Sequence, residues 1–84
     1  MYKESRIRSL LLRIEEAIVL ILDQTKQIKS SDDFLKTSHG MFILGGVCMQ
    51  LIFIGESVKV ISSTDPTYLK KYPDMPWNEI MGLP

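Results

Sequence analysis

The feature that most constrains this chain is a nearly unbroken apolar run at residues 41–54. Within these fourteen residues only two glycines and Gln50 are not apolar. A helix that spans a bilayer needs about 20 apolar residues, and here Glu56 and Lys59 follow the run at once. We therefore predict the core helix of a protein without a membrane partner, and we keep a membrane-associated helix pair as an alternative.

On a helix over residues 41–62, the apolar side chains lie on two faces about half a turn apart. A helix that is apolar on opposite sides must be covered on both, and so short a chain cannot cover it twice. Either short helices wrap the far side, or two copies form a homodimer with the second stripe in its seam, which we favour. The main stripe is Leu44, Val47, Cys48, Leu51, Ile54, Val58 and Ile61, and the seam stripe is Phe42, Gly46, Met49 and Phe53, with Val60.

Residues 2–29 predict a first long helix. Their apolar side chains recur mostly at three- and four-residue steps, and neither Gly nor Pro interrupts them. Leu12 and Val19 add apolar surface on the outer side, which indicates a second neighbour. We expect the two long helices to pack antiparallel.

Between the long helices, Ser31 is predicted as the N-cap of a short helix that residues 37–40 close. No segment alternates in the way a strand does. We therefore expect an all-α architecture, with two long antiparallel helices and short additional ones, and a single domain over residues 1–84.

The tail is rich in helix punctuation. Asp65 is predicted as the N-cap of a helix over residues 66–72, and a second short helix is expected to begin near Pro76 and to end at Gly82. We expect Pro76 and Trp77 to anchor the tail across the long helices. The alternative for Trp77 is a stacking platform for a base.

Composition narrows the class of protein further. The chain has 84 residues, ten basic residues against ten acidic ones and a single cysteine. A zero net charge provides no long-range attraction to nucleic acid or anionic lipid, and one cysteine cannot crosslink a small secreted fold. The N-terminus is charged and amphipathic instead of carrying an apolar signal core, so we expect a cytoplasmic protein.

Residue patterns for common chemistries are absent from the sequence. It contains no glycine-rich phosphate loop with a lysine, no Cys-x-x-Cys and no histidine pair at helix spacing, so we predict neither a metal nor a cofactor. His39 is expected in a turn, and Cys48 is expected to pack as a small hydrophobe. Arg6, Arg8 and Arg13 form a basic patch, but glutamates interleave with them, which favours a solvated face.

Glu56 allows two interpretations. It follows Gly55 directly, at the edge of the seam stripe of an otherwise apolar helix. A carboxylate there could be partly buried beside a partner, which is one signature of a functional site. The alternative is an exposed glutamate that pairs with Lys59 three residues on.

Two segments carry a family resemblance. Residues 54–57 read IGES and residues 72–83 read YPDMPWNEIMGL. They resemble the HepT-like branch of the HEPN superfamily, in which I-G-E-[AS] and Y-P-x-[IM]-P-W-x-x-I-x-G-[LM] segments stand at about this separation. The first helix and residues 33–35 are also similar to that family.

This resemblance implies a homodimeric helical bundle that is usually the toxin partner of a minimal nucleotidyltransferase antitoxin. Active members are metal-independent ribonucleases. Their site is an Arg and a His, about four to six residues apart, on the helix after the Gly-Leu pair. The Arg can hold a phosphate and the His can move protons at the 2′-hydroxyl, while a Tyr beyond the His accepts the antitoxin's nucleotide.

The sequence departs from that pattern after Leu83. The next residue is Pro84, and no Arg stands four to six residues before a His within the 84 residues. Only Gly55 and Glu56 carry over, as an element that lines the seam near the site, and no catalytic residue is assigned. We expect an incomplete four-helix bundle without its catalytic helix and without ribonuclease activity, so that RNA is a partner only if that helix is present. The alternative is a non-enzymatic module that binds a nucleotidyltransferase or a nucleotide through the seam.

Overall fold

The computed structural model describes residues 2–83, and every regular element in this range is helical. The predicted all-α class is thereby confirmed. The elements, in chain order, are α1 (Tyr2–Gln24), α2 (Ser31–Leu35), α3 (Ser38–Thr64), a 3₁₀ turn (Leu69–Lys71) and α4 (Trp77–Met81).

The first long helix is shorter than predicted, because α1 ends at Gln24 instead of Lys29. The Thr25 hydroxyl donates a hydrogen bond to the Ile21 carbonyl oxygen, at an Oγ1–O distance of 2.7 Å. Such back-bonding by a β-branched residue competes with helix continuation. The chain turns at once, and the Ile28 amide donates to the Thr25 carbonyl.

The start of α2 is one residue earlier than predicted, with Ser30 instead of Ser31 at the N-cap position. The Asp33 carboxylate accepts hydrogen bonds from the Lys29 amide (2.8 Å) and the Ser30 amide (3.3 Å). These two bonds lower the pKa of Asp33, the one from Lys29 most, against a smaller opposing effect of burial. Asp33 therefore fixes the loop that leads into α2.

Residues 37–40 begin α3 and do not close α2 as predicted. Thr37 is the N-cap, and its hydroxyl oxygen accepts from the Gly40 amide at 2.8 Å. His39 therefore lies in the first turn of α3, exposed, and not in a loop. A Cβ at Gly40 would lie 2.5 Å from the Asp33 carbonyl oxygen, so a glycine lets α2 pack closely on α3.

The two long helices pack antiparallel. Ile7 of α1 packs against Ile61 near one end of the pair. Near the other end, Ile21 lines the same cavity as Gly46. Residue numbers therefore rise along α1 as they fall along α3.

The core lies at one end of this pair. Its buried cluster joins one residue of α1, two of α3 and one of the 3₁₀ turn: Ile7, Val58, Ile61 and Leu69. Partly buried side chains surround the cluster: Leu10, Ile14, Tyr68, Trp77, Ile80 and Met81. The buried apolar part of α3 is therefore its C-terminal third, and its apolar N-terminal part has little cover.

The tail is less helical than predicted over residues 66–72. The Asp65 carboxylate accepts from the Thr67 amide (3.0 Å) and the Thr67 hydroxyl (2.7 Å). Asp65 thus bonds to Thr67, two residues later in the chain, and forms an Asx turn. Only the 3₁₀ turn follows it, instead of the expected helix. The same bonds lower the pKa of Asp65, the one from the hydroxyl most. The second tail helix, α4, starts after Pro76 and ends before Gly82.

Candidate interaction surface

One side of the α1–α3 pair carries two adjoining cavities of about 250 and 400 Å³. Leu20 and Gln50 line both of them, so the cavities form one continuous groove. We call this surface the groove face. It is formed mainly by Arg13, Glu16, Ala17 and Leu20 of α1 and by Phe42, Gly46, Met49, Gln50 and Phe53 of α3.

The four residues predicted for a dimer seam all line the groove face. Phe42 and Met49 are 80% and 71% exposed, and Phe53 is half-buried. A Cβ at Gly46 would have no neighbouring atom within 4 Å, so this part of the groove is open. Exposed large apolar side chains clustered in a groove are typical of an interaction surface.

The middle of the groove face combines charge with an aromatic ring. The guanidinium carbon of Arg13 lies 5.3 Å from the centre of the Phe53 ring, in a cation–π contact. Glu16 lies in the same cavity. Sequence reasoning had assigned Arg13 and Glu16 to a solvated face, because nothing in a single helix indicates which neighbour its charged side borders.

Glu56 is exposed, and its carboxylate forms an ion pair with the Lys59 ammonium at 3.1 Å. Of the two interpretations of Glu56, the structure shows the exposed glutamate paired with the residue three positions on. Arg6 of α1 lines the same depression as this ion pair.

Gly55 does not line the groove face. It is buried against α4, where a Cβ would lie 2.9 Å from the Ile80 carbonyl oxygen. Residues 54–57 therefore contact the tail instead of forming a wall of the groove.

Trp77 fixes the tail to the core. Its indole Nε1 donates hydrogen bonds to the Leu69 carbonyl oxygen (3.0 Å) and the Tyr72 carbonyl oxygen (2.9 Å). Its ring packs against the buried cluster. A ring held in this way anchors the tail, and its Nε1 edge is occupied by hydrogen bonds to the backbone.

Cys48 is exposed, although it was predicted on the main apolar stripe. Its neighbours Met41 and Ile52 are also largely exposed. The other side chains of this part of the stripe, Leu44, Val47 and Leu51, are half-buried, and Cys48 lies between the contact of α3 with α2 at Gly40 and its contact with α4 at Gly55. Within residues 2–83 no three His, Cys, Asp or Glu side chains are grouped so that they could hold a metal ion.

A third depression lies between the N-terminal part of α1 and the 3₁₀ turn. Lys3, Arg8 and Lys71 surround Tyr68 there, and the Lys71 ammonium lies 5.4 Å from the centre of the Tyr68 ring. Burial, followed by the neighbouring Tyr72, raises the pKa of Tyr68. Asp65 also lines this depression, so its charges are mixed.

α3 is long and apolar enough to cross a membrane, with a mean hydropathy of 1.8 over its most apolar window. Only 22% of that window is buried, whereas the core helix of a soluble protein is mostly buried. This apolar surface is continuous with the groove face.

Comparisons of the chain with family models, with curated proteins and with solved structures find no match. The candidate site therefore rests on the geometry of the groove face and on the contact between α3 and α4.

Proposed function

We propose that this chain is a HepT-like helical domain of a nucleotidyltransferase/HEPN pair that acts as a homodimeric binding unit, without ribonuclease activity of its own. Its partners are a second copy of the chain and a minimal nucleotidyltransferase. The proposal joins the resemblance of two sequence segments to the packing of those same segments.

The observation that carries this proposal is the contact between Gly55 and Ile80. The two segments that resemble the family, residues 54–57 and 72–83, meet there, with a Cβ at Gly55 only 2.9 Å from the Ile80 carbonyl oxygen. Two sequence segments that pack against each other support a family resemblance more strongly than two short motifs that do not touch. The close contact with Ile80 also explains why the I-G-E segment has a glycine at residue 55.

Self-association is supported by the groove face. Phe42 and Met49 are mostly exposed on it, and Leu20 beside them is 44% exposed. A small chain with this much uncovered apolar surface gains free energy when a second surface excludes water from it.

Binding without cleavage is supported by the residues available. An active member of the family needs an Arg and a His at a short spacing, and these 84 residues contain one histidine, His39, with no arginine near it in sequence. The residues that line the groove face include Arg13 but no histidine.

Localisation in the cytoplasm is part of the same proposal. Eight of the residues of α1 are charged, and Glu56 and Lys59 follow the apolar part of α3, so both long helices carry charge. If the chain is instead found in the membrane fraction after carbonate washing, this part of the proposal is wrong.

Two measurements test the function. We expect the tagged chain to co-purify with the minimal nucleotidyltransferase encoded beside its gene, and we expect no RNA cleavage in buffer with EDTA. Metal-independent cleavage that remains with the protein through a second purification step would refute the inactive assignment. A failure to bind that nucleotidyltransferase would refute the assignment to the pair.

A matched pair of variants tests self-association. Met49→Ser removes an apolar side chain from the groove face, and Met75→Ser makes the same change in the tail, where Met75 is 46% exposed. We expect Met49→Ser to weaken the dimer in analytical ultracentrifugation and Met75→Ser to leave it unchanged. Equal behaviour of the two variants would show that the groove face is not the interface.

A further inference from the structure

Four charged residues on one side of α1 form a pattern complementary to itself. Arg13 and Glu16 line the groove face, and Arg6 lines an adjoining depression that Arg13 also lines. Arg6 and Arg13 stand in the N-terminal half of the helix, and Glu16 and Asp23 stand in its C-terminal half. At about 100° of rotation per residue, the four lie within roughly 100° of one another on one side of α1. The pattern is centred between residues 14 and 15. Arg6 and Asp23 are equally far from this centre in sequence, and so are Arg13 and Glu16.

These charges are largely free to pair with another molecule. Within residues 2–83, Arg6, Arg13 and Glu16 form no ion pair, although the Arg6 guanidinium donates a hydrogen bond to the Tyr2 hydroxyl at 3.5 Å. Asp23 forms an exposed ion pair with Lys26 at 3.1 Å. Arg6 and Asp23 are about 25 Å apart along the helix, so they cannot meet within one chain.

A second regular pattern lies on α3, beside the middle of the charge pattern on α1. Gly46, Phe53 and Val60 of the seam stripe repeat at seven-residue steps, so these three positions are evenly spaced about Phe53. The Arg13 guanidinium lies over the Phe53 ring, so the centre of this stripe is beside the centre of the charge pattern on α1. The open space at Gly46 can receive a side chain as large as that of Val60.

We propose that a second copy of this chain packs on the groove face with its α1 antiparallel to the first. In this arrangement Arg6 meets the partner's Asp23, Arg13 meets the partner's Glu16, and a two-fold axis passes beside Phe53. The inference rests on the self-association proposed above and adds the orientation of the two copies.

Charge repulsion disfavours the opposite orientation. In a parallel pairing of the two α1 helices, Arg6 and Arg13 would each face the same residue of the partner, and so would Glu16 and Asp23. Like charges placed opposite each other across an interface are a common device against a wrong arrangement. The antiparallel pairing turns all of these contacts into attractive ones.

The groove face is large enough for a stable dimer. The molecule measures 46 × 21 × 17 Å, so its broad side has room for the roughly 800 Å² that each partner buries in an interface of ordinary size. Apolar side chains at the middle and acidic or basic ones at the rim match the usual layout of such interfaces.

A double-mutant cycle tests the orientation. Arg6→Asp places two aspartates against each other at each end of the antiparallel dimer, and Asp23→Arg places two arginines there. We expect each single variant to raise the dimer dissociation constant at least about tenfold at low salt, since two symmetric contacts change sign. The combined Arg6→Asp/Asp23→Arg variant restores opposite charges, so its dissociation constant should return to within about threefold of the original value.

Arg8→Asp is the matched control, because Arg8 lies on the same helix but borders the third depression instead of the groove face. Its dissociation constant should stay unchanged. Circular dichroism verifies that each variant keeps its helices, as expected for exposed positions.

The outcomes separate the two proposals. If the original chain is a dimer but the single variants behave like Arg8→Asp, or the double variant does not recover, the orientation is wrong while self-association stands. If the original chain is a monomer at concentrations up to about 100 µM, the proposal of self-association is wrong, and so is the proposed orientation. Binding of the nucleotidyltransferase is judged separately by co-purification.

Discussion

Replacement of Gly55 by alanine tests the contact on which the proposed function rests. The new Cβ would lie 2.9 Å from the Ile80 carbonyl oxygen, a backbone atom that cannot move without shifting α4. Contacts this short do not persist, so either α4 moves outward or α3 bends. Gly45→Ala is the matched control, because a Cβ at Gly45 has no atom within 4 Å.

The expected magnitudes follow from two opposing effects. In a helix interior, Gly→Ala stabilises the folded state by about 0.5–1 kcal/mol, and Gly45→Ala should show this gain in full. At Gly55 the same gain is opposed by an overpacking cost of about 1–3 kcal/mol. We therefore expect Gly55→Ala to be about 1–3 kcal/mol less stable than Gly45→Ala. In a domain of this size that difference lowers the midpoint temperature by roughly 4–24 °C.

Two signals separate local from global effects. Trp77 is the single tryptophan and the first residue of α4, and its ring packs on the core, so its fluorescence reports detachment of the tail. Circular dichroism at 222 nm reports the two long helices. We expect Gly55→Ala to shift the Trp77 emission to longer wavelength at a lower denaturant concentration than the loss of helix. Equal stability and equal emission of the two alanine variants would refute the close packing of α3 and α4.

Three further changes have defined outcomes. Trp77→Phe keeps an apolar ring but removes the indole hydrogen bonds to the Leu69 and Tyr72 carbonyls, each of which keeps one backbone amide donor, so it should lower the free energy of unfolding by about 1–2 kcal/mol in urea denaturation. Thr37→Val removes the cap oxygen at the start of α3 and should cost about 1 kcal/mol, with faster hydrogen exchange at the Gly40 amide. The folded pKa of Asp33 is below its ordinary value, so the order that it gives the loop before α2 is present above about pH 4 and is lost as the pH falls through the folded pKa. In NMR the protection of the Lys29 amide, relative to its intrinsic exchange rate at each pH, should fall on acidification, and Asp33→Asn should remove that pH dependence.

The sequence was sufficient to predict the helical class and the two long helices, because apolar periodicity is a strong signal over more than twenty residues. It also located the four seam residues on one stripe, and these do share one groove. The error at Cys48 has a different origin. A helical wheel shows which residues share a face, but not how far along the helix that face is covered.

Local hydrogen bonds explain the remaining differences. Ser30, Thr37 and Asp65 each had a polar side chain that could cap a helix or form a turn, and the sequence alone does not decide which backbone amide it binds. For Asp65 the nearest donors belong to Thr67, which converts an expected helix start into a turn. The contact between Arg13 and Phe53 places the centre of the charge pattern on α1 beside the centre of the seam stripe on α3. Such a contact between two helices cannot be predicted from either helix alone.

The uneven burial along α3 links association to folding. Its C-terminal third is held by the core around Ile61, whereas Phe42 and Met49 are mostly exposed and two adjacent glycines of low helix propensity lie between them. A helix segment with little tertiary packing and poor intrinsic propensity opens most easily, because helix stability in proteins comes mainly from a buried face. A second copy on the groove face would cover this segment and leave the core around Ile61 unchanged. Dimer formation should therefore slow hydrogen exchange most at the N-terminal half of α3. We expect the order of the apolar run at residues 41–54 to depend most on a partner.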